Sequence, residues 1–172
     1  AATGRPDEGV RVTHVTQAYE PRLSQWFDGA SMFQIVAKRA TTNAAGEFIL
    51  EGLSDRPAVL LFARRGFARQ VVAGVKREPP EQIFSLSPGA AIEGLVQTAE
   101  GKPIPGAGGH AWIDRQRFPG AQTGPDGRFR LDDLPAGEAQ VQFRPHSSEA
   151  NALRRTVRVT LRTGETASAD FT

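Results

Sequence analysis

The chain of 172 residues contains no cysteine. Disulfides, thiolate metal sites and cysteine nucleophiles are thereby excluded, while the compartment stays open, because a cysteine-free chain is tolerated in reducing and oxidising surroundings alike. Long apolar runs are also missing. Hydrophobic residues make up 39% of the chain, but they never accumulate into the row of about 20 that a membrane-crossing helix needs, so no membrane insertion is expected. The opening stretch AATGRPDEGVRV has neither the basic start nor the apolar core of a signal peptide, and localisation has to be read from other features. Excess charge of either sign is scarce: 21 Lys and Arg against 19 Asp and Glu leave a net charge of +2. Nucleic acid needs a concentrated basic surface, so no nucleic-acid partner is expected. The pairs Arg64-Arg65 and Arg154-Arg155 read as solvated strand faces or ends.

What the chain does have is a repeat. TTNAAGEFILEGL at 41–53 returns as QTGPDGRFRLDDL at 122–134, with a constant offset of 81 residues. Thr42 pairs with Thr123, Gly46 with Gly127, Phe48 with Phe129, Leu50 with Leu131 and Leu53 with Leu134, and the register holds at Phe62 and Phe143. Solenoid units repeat every 20 to 50 residues or so, and this longer period implies two small domains with separate cores. Units of about 85 residues bury roughly 60 to 65% of their unfolded surface, enough for a marginal core. The expected division is 1–88 and 89–172, with a brief linker around Ser87-Pro88-Gly89.

The local pattern is that of strands. Phe129 and Leu131 alternate with Arg128, Arg130 and Asp132; Ala139, Val141 and Phe143 alternate with Gln140, Gln142 and Arg144; Val157, Val159 and Leu161 alternate with Arg158, Thr160 and Arg162. A period of two describes strands with one buried and one wet face, and it predicts an antiparallel arrangement over a core. Pro125-Asp126-Gly127, Leu134-Pro135-Ala136-Gly137 and Asn43-Ala44-Ala45-Gly46 supply turns between the runs. Strands spaced roughly 8 to 12 residues apart with such punctuation predict an all-β sandwich. No helix longer than a turn is expected.

The order GKPIPGA, TGPDGRFRLDDLPAGEAQVQF and TGETASADFT resembles the carboxypeptidase regulatory-like domain, a transthyretin-like β-sandwich. The first copy resembles it more loosely, through GRPDEGV at 4–10, TNAAGEFILEGL at 42–53 and EQIFSLSPG at 81–89. The resemblance implies two tandem Greek-key sandwiches in an exported, periplasmic or cell-surface bacterial protein. Phe129, Leu131 and Leu134 are expected in the second core, and Phe48, Leu50 and Leu53 in the same roles in the first.

The two copies differ at their edges. AAIEGLV at 90–96 supplies a first strand to the second copy, and nothing equivalent precedes Gly4. Aligning Phe84 with Phe171 leaves Leu86 without a counterpart. Both features suggest a segment of a longer array. From the glycine of the GRP or GKP motif to the repeated threonine is 38 residues in the first copy and 22 in the second, so the first carries about 16 more. These fall in an aromatic-rich insert at about 17–39 that contains Tyr19, Trp26, Phe27 and Phe33. Either the insert projects to meet a ligand, as aromatics at contact surfaces do, or Trp26 and Phe33 cover a sandwich that lacks a strand. Trp112 of the second copy is a further candidate contact, with a core or strand-edge role as its alternative.

Signals for chemistry are weak. His146-Ser147-Ser148-Glu149 has the HxxE spacing of a metallocarboxypeptidase zinc pair, but that catalytic domain is a separate, larger unit and only 23 residues follow Glu149. His14 and His110 stand alone, no serine sits in a nucleophile elbow, and Asp126, Asp132 and Asp133 resemble a calcium cluster only in composition. Lys38, Lys76 and Lys102 show no placement suited to an internal isopeptide bond. The expectation is therefore no catalytic residue, no metal and no cofactor. The leading function is a structural and protein-binding module, whose partners are other domains of a larger protein or a separate protein. The alternative is a carbohydrate-binding module that meets polysaccharide through Trp26, Phe27 and Trp112.

Overall fold

The computed structural model describes residues 6–15, 38–76, 81–114, 116–144 and 156–172. They form eleven strands and no helix: β1 Arg11–Val15, β2 Lys38–Thr41, β3 Ala58–Ala63, β4 Gln70–Val75, β5 Ala90–Leu95, β6 Gly108–Ile113, β7 Gln116–Gln122, β8 Arg128–Leu134, β9 Gly137–Arg144, β10 Thr156–Leu161 and β11 Thr166–Ser168. The fold is all-β, built from three small sheets ordered β2-β1-β3-β4, β10-β9-β6-β7 and β11-β5-β8. Pairing is antiparallel, as alternation predicted, except that β11 runs parallel to β5.

The alternating runs explain why these strands sit where they do. Along β8 the pattern of exposed Arg128, buried Phe129, exposed Arg130 and buried Leu131 follows the sequence residue by residue, and β9 does the same with Ala139, Val141 and Phe143 inward. These side chains join Ile92, Ala111, Ile113, Phe118, Leu161 and Phe171 in one core between the two C-terminal sheets. A second, smaller cluster of Val10, Val12, Ala58, Leu60 and Phe62 belongs to the N-terminal sheet. Phe62 and Phe143, paired by the repeat, are both buried.

The repeat is a repeat of hydrogen bonds. The Thr123 hydroxyl accepts from the Ala107 amide at 2.9 Å and donates to the Ile104 carbonyl at 2.6 Å, and the Thr42 hydroxyl accepts from Val10 at 2.9 Å and donates to Asp7 at 2.6 Å. Donor and acceptor lie 16 residues apart in the second copy and 32 in the first, which places the longer insert between β1 and β2. Downstream, the Gly127 amide closes a turn on the Gly124 carbonyl as Gly46 does on Asn43. Both glycines hold positive φ, 75° and 73°, a conformation that costs side-chain-bearing residues 1 kcal/mol or so.

One expectation fails in part. Phe48 and Leu50 point at the core as Phe129 and Leu131 do, but they are only half-buried, and residues 47–51 are not a strand. In the second copy β8 is held by β5, with Ile92 opposite Leu131 and Gly94 opposite Phe129. Among the described residues no strand plays that part for 47–51. Extended chain without a partner lacks the ladder that defines a strand.

Candidate functional site

The two copies are tied together outside the sheets by a set of hydrogen bonds. The turn that follows β3 reaches the end of β8: the Gly66 amide donates to Oδ1 of Asp133 at 2.8 Å, and the Arg69 amide donates to the Asp133 carbonyl at 3.0 Å. The expected linker is itself paired, with Gly89 donating to the Gly66 carbonyl and Ala68 donating to the Ser87 carbonyl, both at 2.9 Å, and Phe67 bridging to Pro88. Arg64 caps the turn from behind, its guanidinium 5.1 Å from the Phe67 ring and ion-paired with Asp7. Arg64, expected at a solvated strand end, thus sits at the end of β3 but with partners.

Asp133 owes its position to a β-bulge. Ala90 faces Leu134 and Ile92 faces Leu131, so Asp132 and Asp133 together oppose Ala91. The bulge turns Asp133 to a φ of 60°. Its counterpart at the offset of 81 is Gly52, with a φ of 63°. The first copy therefore meets this backbone geometry with the residue that tolerates it, whereas the second places there a carboxylate whose bonds hold it. A composition-level reading of Asp126, Asp132 and Asp133 as an acidic cluster missed this role. The signal available was the departure from glycine within the repeat.

The other sequence candidates are placed as follows. Tyr19, Trp26, Phe27 and Phe33, and the His146 to Glu149 motif, lie outside the described residues. Trp112 is half-buried on β6, opposite Gln140 of β9 and Arg117 of β7, and its ring meets that of His110 edge-on at 6.0 Å. Because β6 is flanked on both sides, Trp112 is on an interior strand and not at a sheet edge. His110 is buried, and burial, with Arg144 nearby, lowers its pKa below the ordinary 6.5. His14 shifts the same way through burial and Lys38. Among the described residues no three His, Asp or Glu side chains converge on a common point. A depression of about 280 Å³ between β5, β8 and the last strand is lined by Glu93, Gly94, Arg128, Phe129, Ser168 and Asp170. It offers charged surface but no nucleophile paired with a base.

Lys38 serves structure. Its ammonium donates to the Glu51 and Gly52 carbonyls, both at 2.6 Å, and so ties β2 to the end of the segment at 47–51. In the second copy the corresponding surface is held by an ion-pair ladder, with Arg130 bonded to Asp132 at 2.8 Å and to Glu93 at 2.9 Å. The hydrogen bond to Asp132, and secondarily Glu93, raises the Arg130 pKa above its ordinary value.

No family model matches the chain, and no curated protein matches it. Among solved structures it is similar to GBS52, the minor pilin of Streptococcus agalactiae, at 16% identity and a TM-score of 0.40, over 97% of this chain and 83% of that one. It is also similar to the TIE protein of Bacillus anthracis, at 13% identity and 0.42, over 98% of this chain and 31% of that one. A third is the shaft pilin SpaA of Lactobacillus rhamnosus GG, at 12% identity and 0.40, over 98% and 89%. Likenesses at these scores are too loose to carry function across, and the function has to be argued from the strands and their bonds.

Proposed function

We propose that the chain is a non-catalytic structural and interaction module: two carboxypeptidase regulatory-like β-sandwiches, 1–88 and 89–172, that act as a stiff spacer and protein-binding scaffold within a larger exported or cell-surface protein. The observation that carries this reading is the bonded seam. A flexible tether would leave Gly66, Arg69 and Gly89 to water, whereas here their amides are committed across the joint. Each such bond contributes about 0.5–1.5 kcal/mol net. Together they are enough to favour one orientation over the broad range open to a short linker. A spacer that holds its angle positions whatever is attached at either end.

The test is the tumbling of the full chain. Residual dipolar couplings from both halves should fit one alignment tensor. In Asp133→Gly the positive φ is retained and the Oδ1 acceptor is lost while the main-chain bonds of the seam remain, so the fit to one tensor should worsen while each half keeps its own chemical shifts. Independent tumbling of the unaltered halves would rule out the spacer reading.

A further inference from the structure

The two C-terminal sheets treat charge differently on their outer faces. On β11-β5-β8 the ions are paired: Arg130 with Glu93 and Asp132, and Arg128 with Asp126 at 3.7 Å. On β10-β9-β6-β7 the arrangement is another. Register sets Arg158 of β10 beside Gln140 of β9, Gln140 beside Trp112 of β6, and Trp112 beside Arg117 of β7, in one row across four strands. At about 4.8 Å between strands the row is about 14 Å long. Gln142 and His110 neighbour each other in the next row, and Arg144 stands one row further along β9. Gln140, Arg144 and Arg158 are exposed, and neither Arg144 nor Arg158 has an ion pair among the described residues. The four strands contribute one carboxylate to this face, that of Glu138, which accepts a hydrogen bond from Thr160; Asp114 follows β6 at the same end. Around Arg144 the cations crowd one another. Burial, and then Arg144, lowers the pKa of both His110 and Arg117.

The repeat singles this polar set out. At the offset of 81, Gln140, Gln142 and Arg144 correspond to Val59, Leu61 and Ala63, and Val59 is buried. The inward positions stay apolar in both copies, with Val141 matching Leu60 and Phe143 matching Phe62, so packing over the core does not call for the change. Protein contacts are enriched in aromatic residues and Arg and depleted in Lys, Glu and Asp, and Trp and Arg are prominent among the residues that carry binding energy. This face has that composition: a half-buried Trp between an amide and a guanidinium, two further arginines, and no Lys.

We propose that the outer face of β10-β9-β6-β7 docks an acidic polypeptide, with Trp112 as the central contact, Arg144 and Arg158 taking carboxylates, and the Gln140 amide meeting main-chain groups. A guanidinium holds a carboxylate through two parallel bonds, and a Gln side chain offers both an acceptor and donors, as a peptide unit does. The charges select the partner and speed its arrival, and the indole slows its departure. This deepens the scaffold reading, on which it rests, by giving the partner's chemistry. The stiffness of the joint is measured separately, so docking can fail while the spacer stands.

The test is a nuclear magnetic resonance titration of the full chain with three probes: a dodecapeptide of alternating Glu and Ser, the same peptide with Gln in place of Glu, and polygalacturonate at matched carboxylate concentration. The Glu peptide should shift the Trp112 indole and the amides of 140–144 and 156–160, with affinity falling about tenfold as salt rises from about 25 to about 250 mM. The Gln peptide should shift none of them. Trp112→Ala should weaken binding about tenfold, and Arg158→Gln about threefold with a shallower salt dependence. Arg158 is exposed, so its replacement tests the face even where loss of Trp112 disturbs β6. Arg130→Gln, on the other sheet, should leave affinity within about twofold. Absence of shifts with the Glu peptide at millimolar concentration overturns the proposal, as do shifts that gather around Arg128 and Arg130 instead. Polygalacturonate binding as tightly as the peptide would also overturn it, because the face would then read charge without regard to polypeptide.

Discussion

Thr42 and Thr123 each hold one buried main-chain amide and one part-buried carbonyl. At the second site the Ala107 amide and the Ile104 carbonyl meet on one hydroxyl, with Ala107 fully buried. Valine has nearly the same shape and no hydroxyl, so Thr123→Val leaves both groups unsatisfied. Its expected cost is about 1–3 kcal/mol, measured as a lower urea midpoint with an unchanged slope. His110 sets a pH dependence. Its folded pKa lies below the unfolded 6.5, so the unfolded chain takes up the proton first as the medium acidifies. The stabilisation is therefore complete above about pH 6.5 and is lost as pH falls through and below it toward the folded value. Urea midpoints should drop between pH 7 and pH 5, and His110→Gln should make the drop shallower without abolishing it, because His14 is shifted in the same direction. Equal slopes in the two proteins would show that His110 does not titrate with folding.

Strand β5 depends on a glycine for its second neighbour. A β-carbon at Gly94 would lie 1.8 Å from the Ala169 carbonyl oxygen and 3.0 Å from the Phe129 ring. Main chain cannot yield that far, so Gly94→Ala should separate the last strand from β5 and cost at least about 1–3 kcal/mol. Faster exchange at Ala169 and Phe171, with β8 and β9 unaffected at first, is the expected signature. The strands legible in the sequence were those whose two faces differ, such as β8, β9 and β10, because burial on one side writes a period of two into the chain. Residues 47–51 carry the same alternation and still form no strand, since pairing requires a neighbour that local pattern does not specify. The Asp133 seam was illegible for a related reason. Its partner Gly66 is 67 residues away, and the bulge that aims the carboxylate depends on how β5 and β8 register.

At the scale of the molecule, the repeat takes the form, among the described residues, of two hydrophobic clusters of unequal size with similar bonds beside them. Among the described residues the N-terminal cluster has five fully buried members and the C-terminal cluster sixteen. Burial of an aliphatic or aromatic side chain contributes roughly 1.5–3 kcal/mol, and small domains have little surplus over chain entropy, so the N-terminal unit should open first. Calorimetry should show two transitions, or one whose calorimetric enthalpy exceeds the van't Hoff value. Phe129→Ala, which empties a buried site, should lower the upper transition by the equivalent of about 3–5 kcal/mol. Phe48→Ala should lower the first by less, because that side chain is already partly exposed to water. Asp133→Gly should leave the upper midpoint nearly unchanged, the relief at positive φ offsetting one lost hydrogen bond, while pulling the lower transition slightly further from it as the seam couples the units less tightly. A single two-state transition that both phenylalanine substitutions shift together would instead mean that the seam binds the two cores into one cooperative unit, and the inequality of the cores would then have no thermodynamic consequence.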